Sequence, residues 1–391
     1  MDRATSPARI IIPSIIIPSR GGKIVKLAHL IASATALAAC AVLPFASSAE
    51  AQIVATQRAG QGLPPGQTIA PNTPGGMVLI GSDIWYGDGA QGLRHLTPAD
   101  QTNPDPVNSG TLVFDTDQSH SVGGGTLCLP FCQVGQLAYD GTNVYAAIYD
   151  HQKGGPSTTF PGVWRLSPTL PVQPNFSVWN SSTLIAPNAG LAGNQPTAVA
   201  FGPDGKLYVG FLKNGDIVRI SNPQLQNSDA TQVVQKIGST PNGRTVRSMT
   251  FVGPDLYIGT TDDLAVIKNA IAPSCTGGCN GVALADGFSG IGHLGLATDG
   301  INRIYMAING RGVMRYSIQS QTTSVVSTSG LSPTLQSPVP YSFVGGHSNL
   351  LYLDRLGNLW IGDDTSDGAL NFSGRLWYIS AAQLATLPAL P

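Results

Sequence analysis

Glutamate is almost missing from this chain of 391 residues. Its one copy is Glu50, and every other acidic residue is aspartate. Charged residues make up only 11% of the sequence, and lysine and arginine form no cluster along it. A surface that binds nucleic acid needs such a cluster, so the composition disfavours that class of function. After residue 51, no apolar run is long enough to span a bilayer as a helix.

The first 51 residues have the features of a secretory signal peptide. Lys23 and Lys26 precede an apolar stretch over residues 27–45. Ala49-Glu50-Ala51 then provides an A-x-A cleavage site before Gln52. We therefore expect an exported protein, periplasmic or extracellular, with a signal peptide over residues 1–51.

A second interpretation of this leader is a lipoprotein signal. Leu37-Ala38-Ala39-Cys40 matches a lipobox, which would place a lipid anchor on Cys40. A lipidated cysteine is normally followed by a polar tether, whereas here the apolar stretch Ala41-Val42-Leu43-Pro44-Phe45 follows. The sequence thus favours ordinary cleavage and leaves the lipid anchor as the alternative.

The mature part is expected to be one domain over residues 52–391. Five of the 21 basic residues and two of the 22 acidic residues lie in the leader, so the mature net charge is −4. Its 340 residues are enough for one large core. Low charge with abundant glycine and proline is typical of a loop-rich secreted β protein.

One short phrase occurs six times in this part: an aliphatic residue, an aromatic, a mostly apolar residue, then glycine or alanine. Successive aromatics are 48 to 63 residues apart. A period near 50 residues made of strand-like segments is typical of a radial array of β-sheets. The six copies are Ile84–Gly87, Val144–Ala147, Leu207–Gly210, Leu256–Gly259, Ile304–Ala307 and Leu359–Gly362.

The segments around each phrase predict three or four strands per unit. Before the third phrase lie an apolar run, Thr197–Phe201, and a turn, Gly202-Pro203-Asp204-Gly205, with proline and glycine where a hairpin needs them. Six such units predict an all-β fold, a six-bladed β-propeller. The last unit ends after its third strand, so we expect the segment around Ile53–Thr56 to close the ring as the outer strand of the last blade.

This pattern resembles the broad NHL/SMP-30-like (TolB-like) group of six-bladed propellers. The resemblance covers roughly residues 76–380 and rests on units such as Ala200–Val209. It implies a fold that hosts lactonases, lyases, quinoprotein dehydrogenases and pure binding modules. The SMP-30-type and paraoxonase-type lactonases use a glutamate as a metal ligand, and streptogramin-lyase-like propellers use one beside a histidine. The mature chain has no glutamate, so these signatures have no matching residue here.

The four mature cysteines form two local pairs, which in an oxidising compartment predict disulfides. We expect Cys128–Cys132 and Cys275–Cys279. In the blade topology the two pairs lie on opposite faces, which makes cross-pairing too long for a disulfide. Metal binding by these thiols is a minor alternative.

Candidate site residues are those that the propeller topology brings to one mouth of the central channel. They occupy the starts of first strands or the loops that follow second strands. The predicted ligand-binding set is His293, His347, Arg247, Gln136, Asp150, Asp262 and Asp363, and the predicted metal ligands are His293, His347 and His151.

Two interpretations of this set remain open. Histidines and carboxylates around one channel would suit a divalent ion, zinc or calcium, with Arg247 holding an anionic substrate. This geometry is similar to that of peptidylamidoglycolate lyase propellers, although no sequence motif matches. Alternatively, the aspartates cap turns and the histidines fill the channel.

Two functions follow from these interpretations. The favoured one is an exported, non-catalytic propeller that binds a small molecule or a partner protein at the channel mouth. The alternative is a metal-dependent lyase or hydrolase that uses His293 and His347.

The metal hypothesis makes a quantitative prediction. The purified mature protein should contain one equivalent of a divalent metal by ICP-MS, and a His293→Ala/His347→Ala double variant should lose it. If neither protein holds metal, the metal-dependent enzyme loses its main support.

Overall fold

The structure is a computed structural model, and it describes fourteen segments of the chain. These are residues 56–59, 74–88, 92–102, 111–115, 132–150, 162–169, 173–180, 194–225, 231, 233–285, 294–308, 312–327, 350–366 and 372–387. The predicted signal peptide, the lipobox at Cys40 and the partner cysteine Cys128 lie outside these residues.

The described residues are almost entirely β, with six four-stranded antiparallel sheets. Each of the first five sheets uses four strands that are consecutive in the chain. The first sheet contains β2 (Pro74–Ile80), β3 (Asp83–Asp88), β4 (Gly92–Leu96) and β5 (Thr111–Asp115). The second contains β6 (Cys132–Tyr139), β7 (Val144–Asp150), β8 (Gly162–Ser167) and β9 (Gln173–Asn180). The third contains β10 (Pro196–Phe201), β11 (Leu207–Phe211), β12 (Asp216–Ile220) and β13 (Val234–Ser239).

The remaining sheets follow the same order, and two short helices accompany them. The strands are β14 (Val246–Val252), β15 (Asp255–Thr260), β16 (Leu264–Ile267) and β17 (Val282–Ala285); β18 (Leu294–Thr298), β19 (Arg303–Ile308), β20 (Gly312–Ser317) and β21 (Thr323–Ser327); and β22 (Leu350–Leu353), β23 (Leu359–Ser366) and β24 (Phe372–Ile379). The helices are α1 (Pro98–Thr102) and α2 (Ala381–Ala385).

The sixth sheet takes its outer strand from the other end of the described chain. β1 (Thr56–Ala59) pairs antiparallel with β24, with Thr56 opposite Tyr378. The predicted donor segment was centred on Ile53–Thr56, of which only Thr56 lies among the described residues.

The repeated phrase forms the second strand of each sheet, and its aromatic residue is buried in all six. The phrase alternates between the two faces, so each sheet presents apolar side chains on both sides. Six hydrophobic clusters fill the spaces between sheets, and the cluster of Met77 and Trp360 joins the first sheet to the sixth. The aromatic residue of each phrase is therefore part of the core. The architecture is consistent with a β-propeller.

Aspartates hold the turns between first and second strands. The Oδ1 atom of Asp140 accepts the backbone N–H of Thr142 at 2.7 Å and of Asn143 at 2.6 Å, while its Oδ2 accepts the hydroxyl of Tyr145 at 3.0 Å. The same arrangement joins Asp204 to Tyr208 at 3.1 Å. Each turn is thereby bonded to the buried aromatic of the next strand.

The Cys275–Cys279 disulfide is present, as predicted. The segment around it covers the outer edge of β13: the N–H groups of Gly277 and Cys279 donate to the carbonyls of Lys236 and Ile237 at 2.9 and 3.0 Å. An outer strand left open would expose unpaired backbone groups, so this loop protects the third sheet from edge pairing.

We predict that the hydroxyl of Tyr145 stabilises the fold through Asp140. Tyr145→Phe should lower the free energy of unfolding by about 1 kcal/mol, because it leaves a carboxylate oxygen without its hydrogen bond. Tyr305→Phe is the matched control, since Tyr305 holds the same position in its phrase and its hydroxyl has no hydrogen-bond partner among the described residues. Urea unfolding of both variants measures the difference, and equal effects would contradict the prediction.

Candidate functional site

The two ends of the sheets differ in what they carry. We call the end where each first strand begins the mouth end, and the end with the turns between first and second strands the hairpin end. The first strands are β2, β6, β10, β14, β18 and β22, and each contacts the first strand of the next sheet, with β22 contacting β2. The open edges of the first strands of neighbouring sheets therefore lie next to one another.

Four consecutive first strands contain a β-bulge at the same height. Their register shifts lie between Pro74 and Met77, Val134 and Leu137, Pro196 and Ala198, and Val246 and Ser248. A bulge leaves an extra residue out of the ladder and changes the direction of its side chain, which is why bulges are frequent beside functional sites. The residues within the bulges are Gly75, Gly76, Gly135, Gln136, Thr197 and Arg247.

Two of these glycines are required by close backbone contact. A Cβ atom on Gly76 would lie 1.8 Å from the backbone nitrogen of Leu137, and one on Gly135 would lie 2.3 Å from the carbonyl oxygen of Thr197. Neighbouring first strands can approach this closely only where a residue has no side chain.

Gln136 was predicted as a channel-mouth residue, and its amide crosses to a sheet that is not its neighbour. Its Nε2 donates to the carbonyl of Met249 at 2.8 Å, and the N–H of Met249 donates to its Oε1 at 2.9 Å. The side chain thus pairs with the open edge of β14 as another strand would. Gln136 ties the second sheet to the fourth, and these bonds occupy both ends of its amide.

Thr197 also uses its side chain between sheets. Its hydroxyl donates to the carbonyl of Val246 at 2.6 Å, which joins the bulge of β10 to the start of β14. The hydroxyl is buried, and this contact fixes the backbone immediately before Arg247.

Arg247 is the bulge residue of β14, and its environment differs from that of Gln136. Its Nε atom is buried and has no hydrogen-bond partner among the described residues. Burial lowers the pKa of Arg247, and the nearby Tyr149 acts in the opposite direction. Burial also raises the pKa of the Tyr149 phenol, while the charge of Arg247 lowers it. The cation and the phenol therefore share one buried environment.

Asp262 was predicted as a ligand-binding residue, and it lies beside a cation of the chain itself. Arg244 Nη1 is 3.5 Å from its Oδ2 and 2.5 Å from Oδ2 of the buried Asp263. The hydroxyl of Thr260 accepts the N–H of Asp263 at 2.8 Å and that of Asp262 at 3.1 Å. This pair of aspartates thus shapes the turn and neutralises Arg244.

The other predicted site residues are described only in part or not at all. His293, His347 and His151 lie outside the described residues. Asp150 is the last residue of β7, and Asp363 lies in β23 opposite Arg375; only their backbone is described. Among the described residues, no three histidine, cysteine, aspartate or glutamate side chains form a group that could hold a metal ion. Cys132 begins β6, but Cys128 lies outside the described residues, so the Cys128–Cys132 bond stays a prediction.

A cavity of about 300 Å³ lies on the hairpin side of Gln136. It is lined by residues from all six first strands, including the aromatics Tyr139, Phe201, Phe251 and Tyr352. Gln136 lines its end nearest the bulges. The predicted site was confined to the mouth end, so this cavity was missed.

Sequence reasoning also missed Thr197 and Tyr149. Thr197 sits inside an apolar run, and Tyr149 follows the phrase Val144–Ala147 by two residues, so both read as ordinary strand residues. Alternation along β7 places Tyr149 on the same face as Tyr145, and this periodicity was the one available signal.

No protein-family profile and no curated protein matches this chain. Among the described residues, no helix is long and apolar enough to cross a membrane.

Several solved structures are similar in fold. Regucalcin, a calcium-binding protein from Agrobacterium tumefaciens strain C58, is 12% identical with a TM-score of 0.47, over 79% of this chain and 91% of that protein. A glucose dehydrogenase is also 12% identical with a TM-score of 0.47, over 84% of this chain and 100% of that one. The extracellular domain of the two-component system BT4673 from B. thetaiotaomicron is 14% identical with a TM-score of 0.45, over 82% of this chain and 39% of that one. The chain thus spans about two fifths of that protein's length. These values assign neither a subfamily nor an activity.

We predict that Gln136→Leu lowers the free energy of unfolding by about 1–3 kcal/mol, because the N–H and C=O of Met249 lose their partners inside the protein. Gln319→Leu is the control, since Gln319 is exposed and, within the described part of the chain, only its backbone N–H is hydrogen-bonded, to Asn302. Urea unfolding compares the two. A loss of stability in Gln319→Leu as large as in Gln136→Leu would contradict this role.

Proposed function

We propose that the protein is an exported, closed six-bladed β-propeller that binds a ligand at its mouth end. The six sheets, the contact of β22 with β2 and the pairing of β1 with β24 support the closed ring. In this arrangement the N-terminal strand completes the last blade, so residues 52–391 form one domain.

The observation that carries the binding function is the row of bulges in four consecutive first strands. A bulge interrupts strand pairing and costs ladder hydrogen bonds, so its repetition at one height needs a reason. Here the bulges put hydrogen-bonding and cationic side chains, those of Gln136, Thr197 and Arg247, at the inner edge of the sheets. Gln136 and Thr197 use their hydrogen bonds on backbone atoms, whereas Arg247 keeps a buried Nε with no partner among the described residues, and this donor is the one available to a ligand.

Binding is favoured over catalysis by the chemistry of these same groups. Thr197 and Gln136 are already bonded to backbone atoms, which makes them structural supports rather than a nucleophile and its base. Arg247 can bind and orient a ligand, but it stays protonated and cannot act as a base. The metal-dependent alternative would require His293, His347 and His151, and the metal analysis above tests it.

The proposed place of action is outside the cytoplasm, in the periplasm or beyond the cell. The supporting observations are the leader over residues 1–51 and the Cys275–Cys279 disulfide, since disulfides persist in oxidising compartments. The ligand is a small molecule or a segment of a partner protein.

Hydroxyl-radical footprinting can test where a ligand binds. Mature protein from a periplasmic preparation is footprinted alone and with each of several sugars, amino acids, carboxylates and nucleosides. We expect at least one compound to slow the oxidation of Tyr149 and Arg247 at the mouth end, and to leave Tyr139 and Tyr352 at the hairpin end unchanged. Protection confined to the hairpin end, or no protection by any compound, would overturn the proposal.

A further inference from the structure

Arg247 differs from three other cations in or beside the third and fourth sheets, each of which has a partner. Lys236 lies 2.6 Å from the buried carboxylate of Asp216, and Arg244 lies 2.5 Å from Asp263. Arg219 donates to the carbonyls of Ile271 and Ala272, both at 3.2 Å, and to Gln235 at 2.6 Å. Arg247 has no hydrogen bond or ion pair within the described part of the chain.

An unpaired charge is expensive to bury. Arg247 as a whole is half-buried, but its Nε atom is shielded from water without a partner, and the nearby phenol of Tyr149 does not neutralise its charge. The bulge of β14 nevertheless holds Arg247 in this position, against the backbone that Thr197 fixes. The buried Nε of Arg247 is therefore a hydrogen-bond donor that an incoming group can satisfy.

The charges around Arg247 limit what that partner can be. Arg244 contacts both Asp262 and Asp263, so these three groups together carry a net charge of −1 and add no positive charge. Among the described residues, no carboxylate forms an ion pair with Arg247, which leaves a single guanidinium at the bulge. A single cation suits a singly charged anion and would leave part of a doubly charged phosphate unneutralised in a buried setting.

We propose that the mouth-end ligand carries a carboxylate, which the guanidinium of Arg247 binds while the hydroxyl of Tyr149 donates to the same group or its neighbour. The planar guanidinium matches the two oxygens of a carboxylate and can bind both. This inference rests on the proposed binding function and names the chemical class of its ligand.

The test uses thermal shift and calorimetric titration of the mature protein with acetate, lactate, hexanoate and benzoate. The matched neutral probes are their primary amides, and inorganic phosphate is a separate probe. We expect at least one carboxylate to raise the melting temperature while its amide does not. Arg247→Met should weaken binding of that carboxylate at least tenfold, and Arg247→Lys should restore part of it. The control is Arg355→Met, which alters an exposed arginine at the hairpin end and should bind like the wild type.

The free protein gives a second readout. If Arg247 awaits a ligand, Arg247→Met should be at least as stable as the wild type without any anion, because a half-buried charge with an unpartnered Nε is removed. If a carboxylate of the chain itself is the partner, Arg247→Met and Asp150→Asn should each destabilise the protein, and their double variant should show no further loss. That result would overturn the inference.

The remaining outcomes separate this inference from the proposed function. Footprint protection at Tyr149 and Arg247 by neutral compounds alone keeps the binding function and overturns the carboxylate. Binding of phosphate but of no carboxylate also overturns it. A carboxylate that binds Arg247→Met as tightly as the wild type shows that Arg247 does not recognise the anion.

Discussion

Each sheet of this protein must bury both of its faces, and this requirement organises the rest of the structure. A lone four-stranded sheet would leave apolar side chains in water on at least one side. The second strand meets the requirement with its repeated phrase, in which a large aromatic such as Tyr208 points to one neighbouring sheet and the flanking aliphatic residues point to the other. Six clusters arise in this way, and every sheet is stabilised by the two beside it. The core therefore lies between the sheets and not within the loops.

The same packing leaves polar backbone groups of the first strands without a neighbouring strand. Sheets that stack face to face around an axis turn the edge of each first strand inward, and that edge carries N–H and C=O groups with no strand to pair with. The amide of Gln136 supplies the missing hydrogen-bond partners for Met249, and the hydroxyl of Thr197 supplies one for Val246. The bulges that aim these side chains belong to this solution. Arg247 occupies the equivalent position in β14, and its Nε has no partner among the described residues, which is why we propose it as the ligand-binding residue.

The preference for aspartate over glutamate has a structural reason at the hairpin end of the sheets. A short carboxylate reaches the backbone amides two and three residues ahead, as Asp140 does, and its second oxygen still meets the hydroxyl of Tyr145. An extra methylene would move that oxygen past both partners. Much of the acidic content of the described chain therefore serves turns, and Asp262 shows that this use extends to a residue predicted to bind a ligand.

Periodicity and turn chemistry were enough to predict the strands and the Cys275–Cys279 bond, because each of these depends on residues close together in the chain. The sequence also indicated that Gln136 and Arg247 lie near one end of the sheets, since strand order alone places them there. It could not distinguish their roles. Register shifts of one residue and contacts between different sheets decide whether the Gln136 amide pairs with a strand edge 113 residues away. They also decide whether the Arg247 guanidinium has a partner. Those are properties of the packed structure, and no local pattern in the chain encodes them.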